Sequence, residues 1–210
     1  MKRLFQFPLI STLVTLVFVC GIGIAYSSMH VRADSSYSSG TYSSCQYSSC
    51  GISLTSSGAV SLNVIPGAST TCTVQSDSVA VTTDSSTGYT LTLNDNDTSN
   101  QMPGSNGGTI DALSGTNASP ALFSVNKWGY RVDDNGGFGS GPTAASSNSG
   151  LPSATFAAVP LSSATPDTIA TSVAPADPAL TTSVWYGLCA SASTLNGSYS
   201  DSVLYTAVVN

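Results

Sequence analysis

The chain has no glutamate: its eleven acidic residues are all aspartate, and lysine and arginine together number five. Its one histidine, His30, lies in the N-terminal segment. Without Glu the chain lacks the bidentate twelfth ligand of an EF-hand loop. Without imidazole downstream, it lacks the usual general base of a hydrolytic triad and the commonest metal ligand. Charged residues make up only 8% of the chain, too few for helices with solvated charged faces. There is one long apolar run, which argues against further helical spans.

That run, "FPLISTLVTLVFVCGIGIAY", follows Lys2 and Arg3 and precedes a polar stretch ending "VRA" before Asp34. Residues 1–33 are expected to be a signal peptide cleaved after Ala33; the rival reading is an uncleaved N-terminal anchor of about 20 residues. Both export residues 34–210. Lipid attachment at Cys20 is disfavoured, because "VFV" before it lacks small residues. Cleavage removes Lys2, Arg3, His30 and Arg32, leaving Lys127 and Arg131 against eleven Asp, a formal charge of −9. Such a surface repels nucleic acid and anionic lipid. A membrane is then met only through the N-terminal segment, if that stays attached.

Four cysteines remain, Cys45, Cys50, Cys72 and Cys189, and an even number in an exported chain reads as disulfides. Cys45 with Cys50 would staple a short local loop. Cys72 with Cys189 would close a very long one, the preferred pairing of the three possible. Four-cysteine zinc is disfavoured by the absence of paired C-x-x-C knuckles.

Residues 34–50 repeat Tyr-Ser-Ser with almost no aliphatic content, and are expected to be a flexible tether. From Gly51 onward, short β-branched and aromatic runs alternate with Gly, Asn, Asp, Ser and Pro clusters: "ISLTS", "AVSLNVI", "SVAVTT", "YTLTLN", "LFSV", "KWGYRV", "TFAAVPL", "TSVWYGLC" and "SVLYTAVV". No window carries a 3.6-residue apolar stripe. Residues 51–210 are therefore expected to be one all-β domain, an Ig-like antiparallel β-sandwich with long irregular loops at 94–119 and 133–154. In "KWGYRV", alternation puts Trp128, Tyr130 and Val132 on the core face, and Lys127, Gly129 and Arg131 on a solvent face. Both faces of the last run, 203–209, are largely apolar, so it is expected to be well covered.

The segments "VTTDSSTGYTLTLND", "NKWGYRVDD" and "LNGSYSDSVLYTAVVN" resemble small secreted bacterial cell-surface β-sandwich proteins. More distantly, the chain is similar to the WxL cell-wall-associated domain. Tyr89-Thr90-Leu91 stands where that family has its Gly-aromatic-x-Leu strand, and Gly197, Tyr199, Asp201 and Val203 match its terminal pattern. The resemblance implies an exported surface protein of the cell envelope. Its partner would be a cell-wall polymer, a glycan or another surface protein. Pilin-like sandwiches, which also end this way, assemble by strand exchange.

Among candidate sites, "NDNDTSN" offers Asp95 and Asp97 with nearby backbone oxygens, a donor set suited to Ca²⁺. "DDNGG", with Asp133 and Asp134, is a weaker alternative. Otherwise no cofactor is expected. Trp128/Tyr130 and Trp185/Tyr186 could stack on sugars, but core placement is favoured. Three N-x-[ST] sequons, at Asn96, Asn117 and Asn196, would mark exposed loops in a eukaryotic secretory pathway. No constellation supports catalysis. The expected function is a non-catalytic exported surface protein, structural or adhesive. The alternatives are a strand-exchanging pilin-like subunit and a Ca²⁺-assisted carbohydrate-binding module.

Overall fold

The structure, a computed structural model, describes residues 51–67 and 69–210. The expected signal segment 1–33, the tether 34–50, and Cys45 and Cys50 lie outside the described residues. Among the described residues there is no helix, and the fold is all-β. Its strands are β1 (Ile52–Ser56), β2 (Thr71–Thr83), β3 (Tyr89–Asp95), β4 (Met102–Pro103), β5 (Thr109–Ala112) and β6 (Ala121–Leu122). They continue with β7 (Lys127–Arg131), β8 (Ser146–Ser149), β9 (Thr155–Phe156), β10 (Asp167–Ser172), β11 (Ala176–Ala190) and β12 (Val203–Val209).

The long strands β2 and β11 pair antiparallel over nearly their whole length and form the spine of the larger sheet, ordered β1-β2-β11-β7-β5-β4. On the other edge of β2, β1 covers residues 79–83 and β8 the stretch around Cys72 and Val74. The sheet is mixed rather than wholly antiparallel, because β5 runs parallel to β7. A smaller sheet, β10-β3-β12, is antiparallel throughout.

The main core lies between these two sheets. The larger gives Val79, Val81, Trp128, Tyr130, Val184 and Tyr186; the smaller gives Tyr89, Leu91, Leu93, Ile169, Tyr205 and Ala207. Fully burying a side chain of this size contributes about 1.5–3 kcal/mol, so the two-residue period of these strands decides which face is inside. The opposite face of β2 changes character along its length. Cys72 and Val74 enter a second apolar cluster with Leu113, Phe123, Phe156 and Cys189, whereas Ser76 and Ser78 are exposed. Cys72 and Cys189 face each other across the strand pair and form a disulfide, spanning 117 residues of sequence. In the chain-entropy picture a closure of that length is worth about 4–5 kcal/mol.

Two glycines make room for the second cluster. Gly129 and Gly187 sit directly opposite each other on β7 and β11. A Cβ on Gly187 would lie 2.4 Å from the Phe123 ring, and one on Gly129 would lie 2.4 Å from the Ala157 carbonyl oxygen. Mid-strand glycine here serves close approach of a ring and of a neighbouring backbone.

Four expectations are corrected. Arg131 does project from the face opposite the main core, but that face is not solvent: the guanidinium is buried beneath residues 138–155. "AVSLNVI" is not a strand. Val60, Leu62 and Val64 do pack on the core in alternation, yet side chains take up this backbone instead of a ladder. The Thr73 and Thr71 hydroxyls donate to the Asn63 and Ile65 carbonyls, and Ile65 N donates to Asn148. β12 is covered on one face only. Tyr205 and Ala207 are buried while Leu204 and Val208 are exposed, because β12 is an outer strand of its sheet with its other face turned from the core. Finally, the region 94–119 is less irregular than expected, since it supplies β4 and β5, and β8 lies within 133–154.

Candidate metal centre

β3 ends with its last residue, Asp95, fully buried. Asp95 N donates to the Pro160 carbonyl at 2.7 Å, and the residue lies opposite Val203 of β12. The chain then turns through two side-chain-to-backbone bonds typical of aspartate. Asp97 N donates to Asp95 Oδ1 at 3.0 Å, and Ser99 N to Asp97 Oδ1 at 2.6 Å. Asn96 N reaches the Ser202 carbonyl, and the Asp97 carbonyl accepts from Ser162 N. The lead-in to β12 thus lies against this turn and brings a third carboxylate, Asp201, whose Oδ1 accepts Ser202 N at 2.8 Å. One carboxylate oxygen from each of Asp95, Asp97 and Asp201 lies within 4.8 Å of the others. The lead-in is anchored from its far side as well, where Ser105 N donates to the Ser198 carbonyl and Tyr199 bridges to Gly104.

Each Oδ1 holds a local N–H, but Asp95 Oδ2 and Asp201 Oδ2 are shielded from solvent and have no hydrogen-bond partner. A buried, unpaired acceptor of this kind costs about 1–3 kcal/mol, more when charged. Burial, with the neighbouring Asp97 charge, raises the Asp95 carboxyl above its ordinary value, against the opposing Asp97 and Asn96 N–H groups. Asp201 is pushed up to about 6, by burial first and, despite the Ser202 N–H, by the charges of Asp95 and Asp97. Among the described residues, no cation relieves them. Lys127 and Arg131 are the only Lys or Arg among the described residues. Lys127 Nζ pairs with Asp111 at 3.0 Å, and Arg131 Nε with Asp133 at 2.6 Å.

The structure therefore brings the sequence candidates Asp95 and Asp97 together and adds Asp201. That residue carried only a pattern match in sequence; its distinguishing signal is that it is the sole acid after Asp177. The alternative pair does not form a comparable site, because the Asp133 carboxylate is occupied by Arg131 and by the Thr143 N–H and hydroxyl. Trp128, Tyr130 and Tyr186 are core residues: Trp128 Nε1 donates to the Asn100 carbonyl, and the Tyr186 and Tyr205 hydroxyls bond at 2.6 Å. Trp185 is half-buried against the second cluster. Of the sequons, Asn96 and Asn196 are exposed, while the Asn117 amide donates to Tyr130 and Asn135.

A cleft of about 770 Å³ opens elsewhere, beside Val74, Phe138 and Leu151. Its one charged lining residue, Arg131, spends its donors on Asp133, Thr143 and the carbonyls of Phe138 and Thr155, so the cleft has no free charge with which to grip a ligand. Comparison of the chain with family models, with curated proteins and with solved structures gives no match.

Proposed function

We propose that the chain is a non-catalytic exported protein of the cell surface, with a structural or adhesive role in the envelope. The observation that carries this reading is the Cys72–Cys189 disulfide, buried where the two longest strands pair. Bonds of this kind persist in oxidising compartments, and this one lies downstream of a basic-then-apolar leader. The described residues contain no His and no Glu, so a serine beside their convergent acidic cluster has no imidazole to activate it, which supports binding or architecture over catalysis. Two sheets sharing one core are what an Ig-like or WxL-like sandwich requires, and that finer fold belongs to the same proposal. Loops would contact the partner, a wall polymer, a glycan or a surface protein.

A second reading, subunit assembly by strand addition, is favoured by β12. Among the described residues it pairs with β3 alone, and it exposes Leu204 and Val208. Fractionation of producing cells into cytoplasm, membrane, wall and medium, with intact mass and thiol state measured in each, tests the proposal. Oxidised protein in the wall, membrane or medium is expected. Reduced, full-length protein confined to the cytoplasm would overturn it. Concentration-dependent growth of the purified protein into polymers would select the second reading.

A further inference from the structure

We propose that Asp95, Asp97 and Asp201 bind a calcium ion, and that this ion ties the end of β3 to the lead-in of the C-terminal strand. The inference rests on two independent features. The first is convergence: three carboxylates from segments about a hundred residues apart in sequence each place an oxygen within 4.8 Å of the others. The second is what that convergence leaves unpaired. Asp95 is wholly buried, its Oδ2 has no partner, and Asp201 Oδ2 is likewise shielded and unpartnered. The two cations among the described residues, Lys127 and Arg131, are committed to Asp111 and Asp133 and leave none for this cluster.

The chemistry selects the ion. An all-oxygen donor set without imidazole or thiolate suits hard cations rather than zinc or copper. Three protein carboxylates suit Ca²⁺, which takes 6–8 oxygens in flexible geometry, whereas Mg²⁺ is usually held by one or two carboxylates and keeps several waters. Each Oδ1 bond to a local N–H fixes its carboxylate in place. The ligands are therefore set before the ion arrives, and backbone oxygens and water complete the shell. A bound ion would hold 95–97 and 201 in one unit and so clamp β12 at its entry.

The test is calorimetric titration of the chelator-treated, oxidised chain, purified from its producing cells, with CaCl₂ and separately with MgCl₂. Melting curves accompany it. One Ca²⁺ per chain is expected, at an affinity near the ~10⁻⁴–10⁻³ M range of extracellular calcium modules, with an upward shift of the melting temperature. Asp97→Asn is the principal variant, because Asp97 is exposed and its loss leaves the core untouched; Asp201→Asn is the second. Each should weaken Ca²⁺ binding about tenfold or more, since each removes roughly 1.4 kcal/mol or more of ligand interaction. Asp111→Asn, at the surface pair with Lys127, should leave it unchanged. Absence of both heat and thermal shift at about 10 mM Ca²⁺, well above that affinity range, would overturn the proposal. So would equal binding by the parent and the two ligand variants, or tighter binding of Mg²⁺ than Ca²⁺.

Discussion

Asp133, just beyond β7, and Asp95, at the end of β3, are both carboxylates largely withdrawn from water beside the same core, yet their surroundings differ in one respect. Asp133 meets a buried guanidinium. Arg131, only 4% exposed at its side chain, gives Nε to Asp133 and Thr143, and Nη1 to the carbonyls of Phe138 and Thr155. Its guanidinium also lies 5.8 Å from the centre of the Phe138 ring. Asp95 meets two more carboxylates and, among the described residues, no cation. One centre is closed by the chain itself, and its charge organises a loop. The other keeps two buried oxygens unpaired, the opening that the proposed calcium ion would fill.

The largest effect should come from breaking the closed centre. Arg131→Ala strips the Asp133 carboxylate and several loop carbonyls of their donors, and is expected to cost about 3–5 kcal/mol in urea unfolding. Asp133→Asn leaves the guanidinium its carbonyl partners and should cost less, about 1–3 kcal/mol. The acid response of this centre has a definite sign. Burial works to raise the Asp133 carboxyl, but the Thr143 hydroxyl and N–H and the Arg131 charge outweigh it and hold the group below its ordinary 3.8. A lowered folded value means stability fully present above the ordinary range and lost as pH falls through the folded value. The low-pH limb of unfolding should therefore be shallower in Asp133→Asn than in the parent.

The open centre should respond in the opposite direction. In chelator, Asp201→Asn removes a carboxylate from a like-charged cluster and is expected to raise stability, by about 1 kcal/mol after allowance for solvent screening. The same change should reduce stabilisation by Ca²⁺. A fall in stability with chelator present would mean that the three acids are not in conflict. The smallest effect belongs to the surface pair. The Lys127 hydrogen bond and charge hold Asp111 below its ordinary value, but both side chains reach solvent. Lys127→Ala should cost only about 0.2–1 kcal/mol, less in high salt.

The difference between the two centres also marks where sequence reading succeeds. Alternation identifies β3 and β7, and it places Trp128, Tyr130 and Val132 inside, because a two-residue period leaves few ways to bury those rings. It names Asp95 and Asp97, which are neighbours in sequence. It does not reveal Asp201, because that residue is brought in only by the pairing of β12 with β3. It misplaces Arg131 for a related reason. Periodicity reports the face of a strand, and whether a loop such as 138–155 folds over that face is a long-range fact. "AVSLNVI" shows the converse: its alternation is real, and Val60, Leu62 and Val64 use it, but the hydroxyl and amide partners of its backbone come from β2 and β8. β10, "DTIATS", carries little signal in sequence, because Ile169 is its only large apolar residue.

The disulfide between β2 and β11 has a kinetic meaning beyond its stabilising role. Cys72 and Cys189 have no exposed surface and are packed beside Val74, Phe123 and Phe156. A dissolved thiol must touch a sulfur to exchange with it, so it can act only when the apolar cluster over that face opens. Under mild reductant, the rate at which the thiols appear therefore clocks how often that cover lifts from the spine of the domain.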